Sequence, residues 1–330
     1  MQSVPQEPSF QLGTAYWNQR QVLRARRDRV LALIRAVDNA GDLSSFQWAQ
    51  LMAAVLEFKP SLVLELGRSF GNSTCAFNEA ANVLNSQGHP CRVVSLCLSD
   101  NWEALVEPRV RQVVEESWFQ SLEALRANIL TFDYDRVIQG APRCLVFWDA
   151  HGFAVAECVL GNILPRIADR PNLVLMHDML DVRYLRPESR LYEQNVLWKG
   201  NNWSGPRVRL GHIESTVEQA VAIVDFASRN GIPLESADHS IRTRIGDDPG
   251  KLQEMRQALG EELFSLCGNW FYFSLGDARQ SLTFPRFAPP APEQIKAPKS
   301  KGNPPAVRPG WWARIRHKLR QAAKAALKRC

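Results

Sequence analysis

One stretch constrains this chain more than any other: Ser61-Leu-Val-Leu-Glu65-Leu-Gly67-Arg68-Ser69-Phe-Gly71-Asn72-Ser73. A short apolar run closes on a glycine, a second glycine follows at position 71, and Ser73 or Thr74 caps a helical pattern over 73–84. That is a strand, a tight turn and a helix. Glycines let the backbone turn sharply and come close to a ligand. The N–H groups of the following helix point at the same place and favour an anionic group, a phosphate or a carboxylate. A second apolar run over 92–98 lies within the length of one βαβ unit. The dinucleotide spacing G-x-G-x-x-G and the P-loop G-x-x-x-x-G-K-[ST] are both missing, which counts against nicotinamide and nucleoside triphosphate chemistry.

The rest of the chain extends this unit. Cys144–Trp148 and 172–176 match buried parallel strands, with a helix over 155–168 between them, a further amphipathic helix over 217–230 and a late strand over 269–275. Strands alternating with helices predict an α/β fold, a Rossmann-like, mostly parallel sheet covered by helices on both faces. Ahead of it, Val22, Val30, Leu31, Leu33, Ile34 and Val37 recur at helical spacing and predict one helix over 16–40. Residues 42–45 supply a break with capping residues. A second helix, Ser45–Phe58, then turns Trp48, Leu51, Met52, Val55 and Leu56 to one side and is stopped by Pro60. The polar stretch 181–211 reads either as a long inserted loop over the carboxyl edge of the sheet or as a surface excursion. The organisation expected is an N-terminal helical extension (1–44), an α/β domain (45–287), a disordered Pro/Lys-rich linker (288–310) and a basic amphipathic helix (311–330).

The formal net charge of +6 comes from the tail. Residues 288–330 hold 11 Lys and Arg against one acid, leaving a net of −4 for the rest, so no basic cleft in the body follows from the overall charge. In the tail, Trp311, Trp312, Ile315 and Leu319 share one side of a helix flanked by Arg314, Arg316, Lys318, Arg320, Lys324 and Lys328. Such a helix suits an anionic membrane surface or a protein partner, and nucleic acid less well. The seven cysteines show no C-x-x-C pair and no zinc spacing and read as buried free thiols of a reducing compartment. Residues 1–13 contain no apolar targeting core, and no run of about 18 apolar residues occurs. These features predict a cytoplasmic protein, with the tail able to bring it to the inner face of the membrane.

Glu65-Leu-Gly67-x-x-x-Gly71-x-Ser73 resembles motif I of the class I S-adenosylmethionine-dependent methyltransferases, in particular their small-molecule O-methyltransferase and cephalosporin-hydroxylase-like branch. Val93-Val-Ser-Leu-Cys97 stands in the second-strand position of that family. Asp149-Ala-His151-Gly152 resembles its fourth-strand D-G-x-H signature, and His177-Asp178 its fifth-strand HD ending. The resemblance runs from Ser45 to Asp178 and more faintly to Leu275. It implies that Glu65, Gly67, Arg68, Ser69, Gly71, Asn72 and Ser73 hold the cofactor, with Cys97, Asn128 and Asp149 completing its site. The chain departs from the family where an acid is expected. Cys97 ends the second strand, with Asp100 as the nearest acid, and Asn128 follows the third, with Asp133 as a substitute. A thiol accepts ribose hydroxyls less well than a carboxylate does.

Asp149 and Asp178, at the ends of neighbouring strands, can share a hard divalent cation such as Mg2+ through oxygen ligands. Met179 stands where metal-dependent members place a further ligand, and Asp181 is the nearest replacement. His151 and His177 can alternatively act as general bases. The expected catalytic set is therefore Asp149, His151, His177 and Asp178. The implied activity is methyl transfer from S-adenosylmethionine to a hydroxyl of a small molecule or saccharide. Its rivals are a non-catalytic module of the same fold, tethered to a membrane or a partner, and a hydroxylase-type activity on that fold.

Overall fold

The computed structural model describes residues 10–39, 42–177, 207–276 and 281–290, with the side chains of 207–218 excepted. In chain order the elements are α1 (Leu12–Asn18), α2 (Arg20–Val37), α3 (Ser45–Phe58), β1 (Leu62–Leu66), α4 (Asn72–Ser86) and β2 (Arg92–Cys97). A π-helical turn (Trp102–Val106), α5 (Glu107–Val110), a 3-10 turn (Glu116–Ser121), β3 (Leu122–Arg126), α6 (Asp135–Ile138) and β4 (Cys144–Trp148) follow. Then come α7 (Phe153–Cys158), a π-helical turn (Val159–Ile163), α8 (Leu164–Ile167) and β5 (Asn172–His177). The described elements close with α9 (Arg207–Asn230), β6 (Glu235–Ser236), α10 (Ala237–Ile241), a third π-helical turn (Arg242–Gly246), α11 (Pro249–Leu263) and β7 (Trp270–Phe273).

The seven strands form one sheet in the order β3-β2-β1-β4-β5-β7-β6. The pairs from β3 to β5 are parallel, and β7 runs antiparallel to both β5 and β6. This is the Rossmann-like α/β arrangement expected from the sequence. Each β1 residue is buried, because helices cover both faces. Val63 faces a core built with α1–α4, α10 and α11, and Leu62, Leu64 and Leu66 face a second core built with α6–α9.

Several expected boundaries move. The single helix expected over 16–40 is two, α1 and α2, broken at Gln19. The Asn18 and Gln19 amides at the break donate to the two oxygens of Glu57, each at 2.7 Å. Both helices pack into the first core through Leu12, Tyr16, Leu23, Val30, Leu33 and Val37. The helix expected over 73–84 begins at Asn72 with Gly71 as its N-cap, so neither Ser73 nor Thr74 caps it. Residues 207–211, expected in the inserted loop, are the first turns of α9. The rest of that loop, Asp181 included, lies outside the described residues, and so does Asp178. So do the basic helix 311–330 and the linker 288–310, apart from 288–290. By its contacts the chain divides into Met1–Pro289 and Pro290–Cys330. Among the described residues six cysteines are free thiols, four of them buried, and no helix is long and apolar enough to cross a membrane.

Candidate functional site

The strand order places the site. From β1 the chain crosses to β2 on one side, and it returns to β4 on the other. β1 and β4 are therefore neighbours whose following helices lie on opposite faces, and open α/β sheets bind ligands in the crevice beyond such strand ends. Gly67 stands at this crevice with φ +103, a conformation costly for residues with a Cβ. A Cβ at Gly67 would lie 2.7 Å from the Asp149 carbonyl carbon and would collide with its oxygen. Backbone bonds hold the two strand ends in this approach, Gly67 N–H to Leu96 O and Asp149 N–H to Leu66 O, each 2.9 Å. Gly71, with φ +85, caps α4, and a Cβ there would collide with the Trp102 ring. No side chain caps α4, so its first-turn N–H groups are left facing the glycine turn.

Four of the side chains implied as cofactor contacts turn inward instead. Glu65 is fully buried and accepts the hydroxyls of Ser73 and Ser95, and that of Thr74 at 2.5 Å. Burial raises its carboxyl above the usual range, against the pull of these hydroxyls and of Arg68. Glu65 and Ser73 thus fasten the first turn of α4 to β1 and β2. Arg68 is buried too. Its Nη1 donates to Ser95 O at 2.8 Å and Leu125 O at 3.3 Å, and its Nη2 to Glu103 Oε1 at 2.7 Å. Asn72 donates to Asn39 O and Asp42 Oδ2 and accepts Trp48 Nε1–H. Gly67, Ser69 and Phe70 keep partial exposure at the rim.

The two positions where the sequence lacks an expected acid are engaged locally. Cys97 Sγ accepts Ser99 N–H at 3.4 Å, and Asn128 Oδ1 accepts Leu130 N–H at 2.9 Å. Their nearest acids are also committed. Asp100 pairs with Arg126 at 3.8 Å on the surface, and Asp133 accepts Asp135 N–H at 3.1 Å.

Across the crevice, Asp149, His151 and His177 come together. His177 Nδ1 lies 3.2 Å from Asp149 Oδ1, and His151 Nε2 lies 3.9 Å from the same oxygen. Their proximity follows from topology, since β4 and β5 are adjacent and parallel and both end here. His177 is buried, whereas His151 retains some exposure. The outer ends of both histidines meet glutamines that sequence reasoning passed over. Gln47 of α3 has its Nε2 3.4 Å from His177 Nε2, and Gln219 of α9 has its Oε1 3.0 Å from His151 Nδ1. Gln47 had a local signal, because Ser44-x-x-Gln47 before an apolar run is a capping-box pattern. Gln219 had none. Among the described residues no group of three or more His, Cys, Asp or Glu is placed to hold a metal ion.

No protein-family model matches the sequence, and no curated protein does. The structure is similar to solved methyltransferases at low identity. An S-adenosylhomocysteine-bound methyltransferase from Podospora anserina is 16% identical, with a TM-score of 0.43 over 62% of this chain and 81% of that one. The O-methyltransferase TomG from Streptomyces achromogenes, solved with S-adenosylmethionine, is 12% identical, with a TM-score of 0.43 over 74% and 89%. An O-methyltransferase from Bacillus cereus is 13% identical, with a TM-score of 0.41 over 76% and 90%.

Proposed function

We propose that this chain is an S-adenosylmethionine-dependent O-methyltransferase acting on a hydroxyl of a small molecule or saccharide. The observation that carries the reading is the meeting of the Gly67 turn with Asp149 at the switch point of the sheet, where a ligand on the turn would lie beside a carboxylate and two imidazoles.

The residues present fit such a cofactor through backbone more than through side chains. The uncapped first turn of α4 suits the carboxylate of its amino-acid end, and the partial exposure of Gly67 and Ser69 permits close approach. When bound, the cofactor supplies an electrophilic methyl group on a sulfonium sulfur. The chain's own part is to orient the acceptor hydroxyl and receive its proton as the oxygen–methyl bond forms. Asp149 and the partly exposed His151 are placed for that.

A non-catalytic module is the second reading. It is favoured by the local engagement of Cys97 and Asn128, which leaves no carboxylate at either expected position. Calorimetric titration of the full chain with S-adenosylmethionine, with and without Mg2+, separates the two. Micromolar binding that disappears in Gly67→Arg supports the enzyme. Absence of binding under both conditions overturns it in favour of the module.

A further inference from the structure

We propose that Gln47 fixes the tautomer of His177, so that this imidazole serves Asp149 as a fixed N–H donor and not as a base. For its catalytic meaning the inference rests on Asp149 being the working carboxylate, but the geometry behind it stands apart from any activity.

Gln47 is the third residue of α3 and is buried. Its Oε1 accepts the backbone N–H of Ser44 at 2.8 Å, which is its half of the capping box. Its Nε2 donates to the carbonyl of Gly268, next to β7, at 2.7 Å. These two bonds decide which end of the amide is oxygen and which is nitrogen, a choice that usually has to be inferred from the network. Rotating the amide would set oxygen against oxygen at Gly268 and N–H against N–H at Ser44, losing both.

With the orientation fixed, the second hydrogen on Gln47 Nε2 remains, and His177 Nε2 is 3.4 Å away. An amide NH2 donates and cannot accept. His177 Nε2 must therefore present its lone pair and carry no proton. The ring proton then sits on Nδ1, which faces Asp149 Oδ1 at 3.2 Å. This is the reverse of the tautomer that an imidazole side chain favours in water. Which nitrogen holds the proton is set by the partner of the other one, and here that partner is held by a helix cap and by the carbonyl before a late strand. Gln47 is thus a positioning residue. It acts on Asp149 through His177.

The test is nuclear magnetic resonance of the full chain with 15N-labelled histidine rings, recording two-bond proton–nitrogen correlations. The His177 signals are identified by their loss in His177→Phe. The expected wild-type pattern has Nδ1 protonated and Nε2 bare, and a wild-type ring with a proton on Nε2 overturns the proposal. In Gln47→Met, which removes the donor, the ring is expected to lose its single form and populate the Nε2–H tautomer. A ring unchanged by that substitution would show that Asp149 alone sets the tautomer, which also overturns the role of Gln47. Because the readout contains no cofactor, a failure of methyl transfer and a failure of this inference are seen separately.

Discussion

Gly67 answers to two demands at one residue: a backbone with φ +103, and a neighbouring strand end that leaves no room for a Cβ. Gly67→Ala is expected to lower stability by about 1–3 kcal/mol, the cost of a residue in a sparsely populated region, with the clash against Asp149 adding to it. A urea midpoint measures the loss, and an unchanged midpoint would show that the strand ends relax apart. Glu65 is a second residue with a readable consequence. Its carboxyl is raised in the folded chain, mainly by burial, above a reference of 4.5. As pH climbs past that reference the unfolded chain loses the proton first, so the group's contribution is full below it and falls as pH rises through the folded value. Glu65→Gln cannot ionise. It is expected to flatten the decline of the urea midpoint as pH rises above about 4.5, and an identical decline in the variant would place its cause elsewhere.

At the scale of elements, the segment 281–290 behaves as a strap. Leu282, Phe284 and Phe287 pack on the second core, and the Pro285 carbonyl sits so close to Gly161 that a Cβ there would lie 2.6 Å away. Asn230, at the end of α9, holds Thr283 by a reciprocal pair of bonds, Nδ2 to Thr283 O at 3.0 Å and Thr283 N–H to Oδ1 at 2.7 Å. Gly161→Leu is expected to lift the strap at a cost of about 1–3 kcal/mol, as for overpacked sites. Faster amide hydrogen exchange at Thr283 is the readout, and protection equal to wild type would refute the assignment. Legibility also divides by element. β1, β4 and β5 were readable because a strand covered on both faces must be continuously apolar, and the partly wrong helix starts came from hydroxyls at Ser73 and Thr74 that look like caps but bind Glu65. β3 was placed only through the family resemblance, as the strand that Asn128 follows, because Leu122-Glu-Ala-Leu-Arg is half-exposed at the sheet edge and carries no clean period. α11 was not read at all, and a kink at Gly260 interrupts it. The closeness of Asp149 and His177 could be anticipated from adjacent strand ends. Gln47 and Gln219 could not be placed beside them, since they lie 130 and 68 positions away from their histidine partners.

At the scale of the molecule, a ligand that binds only the folded chain must raise its stability by mass action, by about 2.7 kcal/mol at a hundredfold excess over the dissociation constant. Under the proposed function, S-adenosylmethionine is expected to shift the thermal midpoint of the full chain upward in a concentration-dependent way, and Gly67→Arg is expected to abolish the shift. A shift of equal size in that variant would point to a binding place other than the Gly67 turn.

The start of the described structure is tied to its late elements. Leu12 N–H donates to the Tyr272 hydroxyl at 3.2 Å, the Tyr16 hydroxyl donates to the Leu263 carbonyl, and β7 inserts between β5 and β6 against the direction of the parallel strands. On the ribosome this has a cost in time. Residues 12–177 can emerge with the parallel strands complete, yet the open edge of β5 and the unpartnered side of α1 must wait until Trp270–Phe273 has left the exit tunnel. During synthesis the nascent chain therefore carries an uncovered strand edge, the kind of surface that chaperones bind and that pairs wrongly when two translating copies meet.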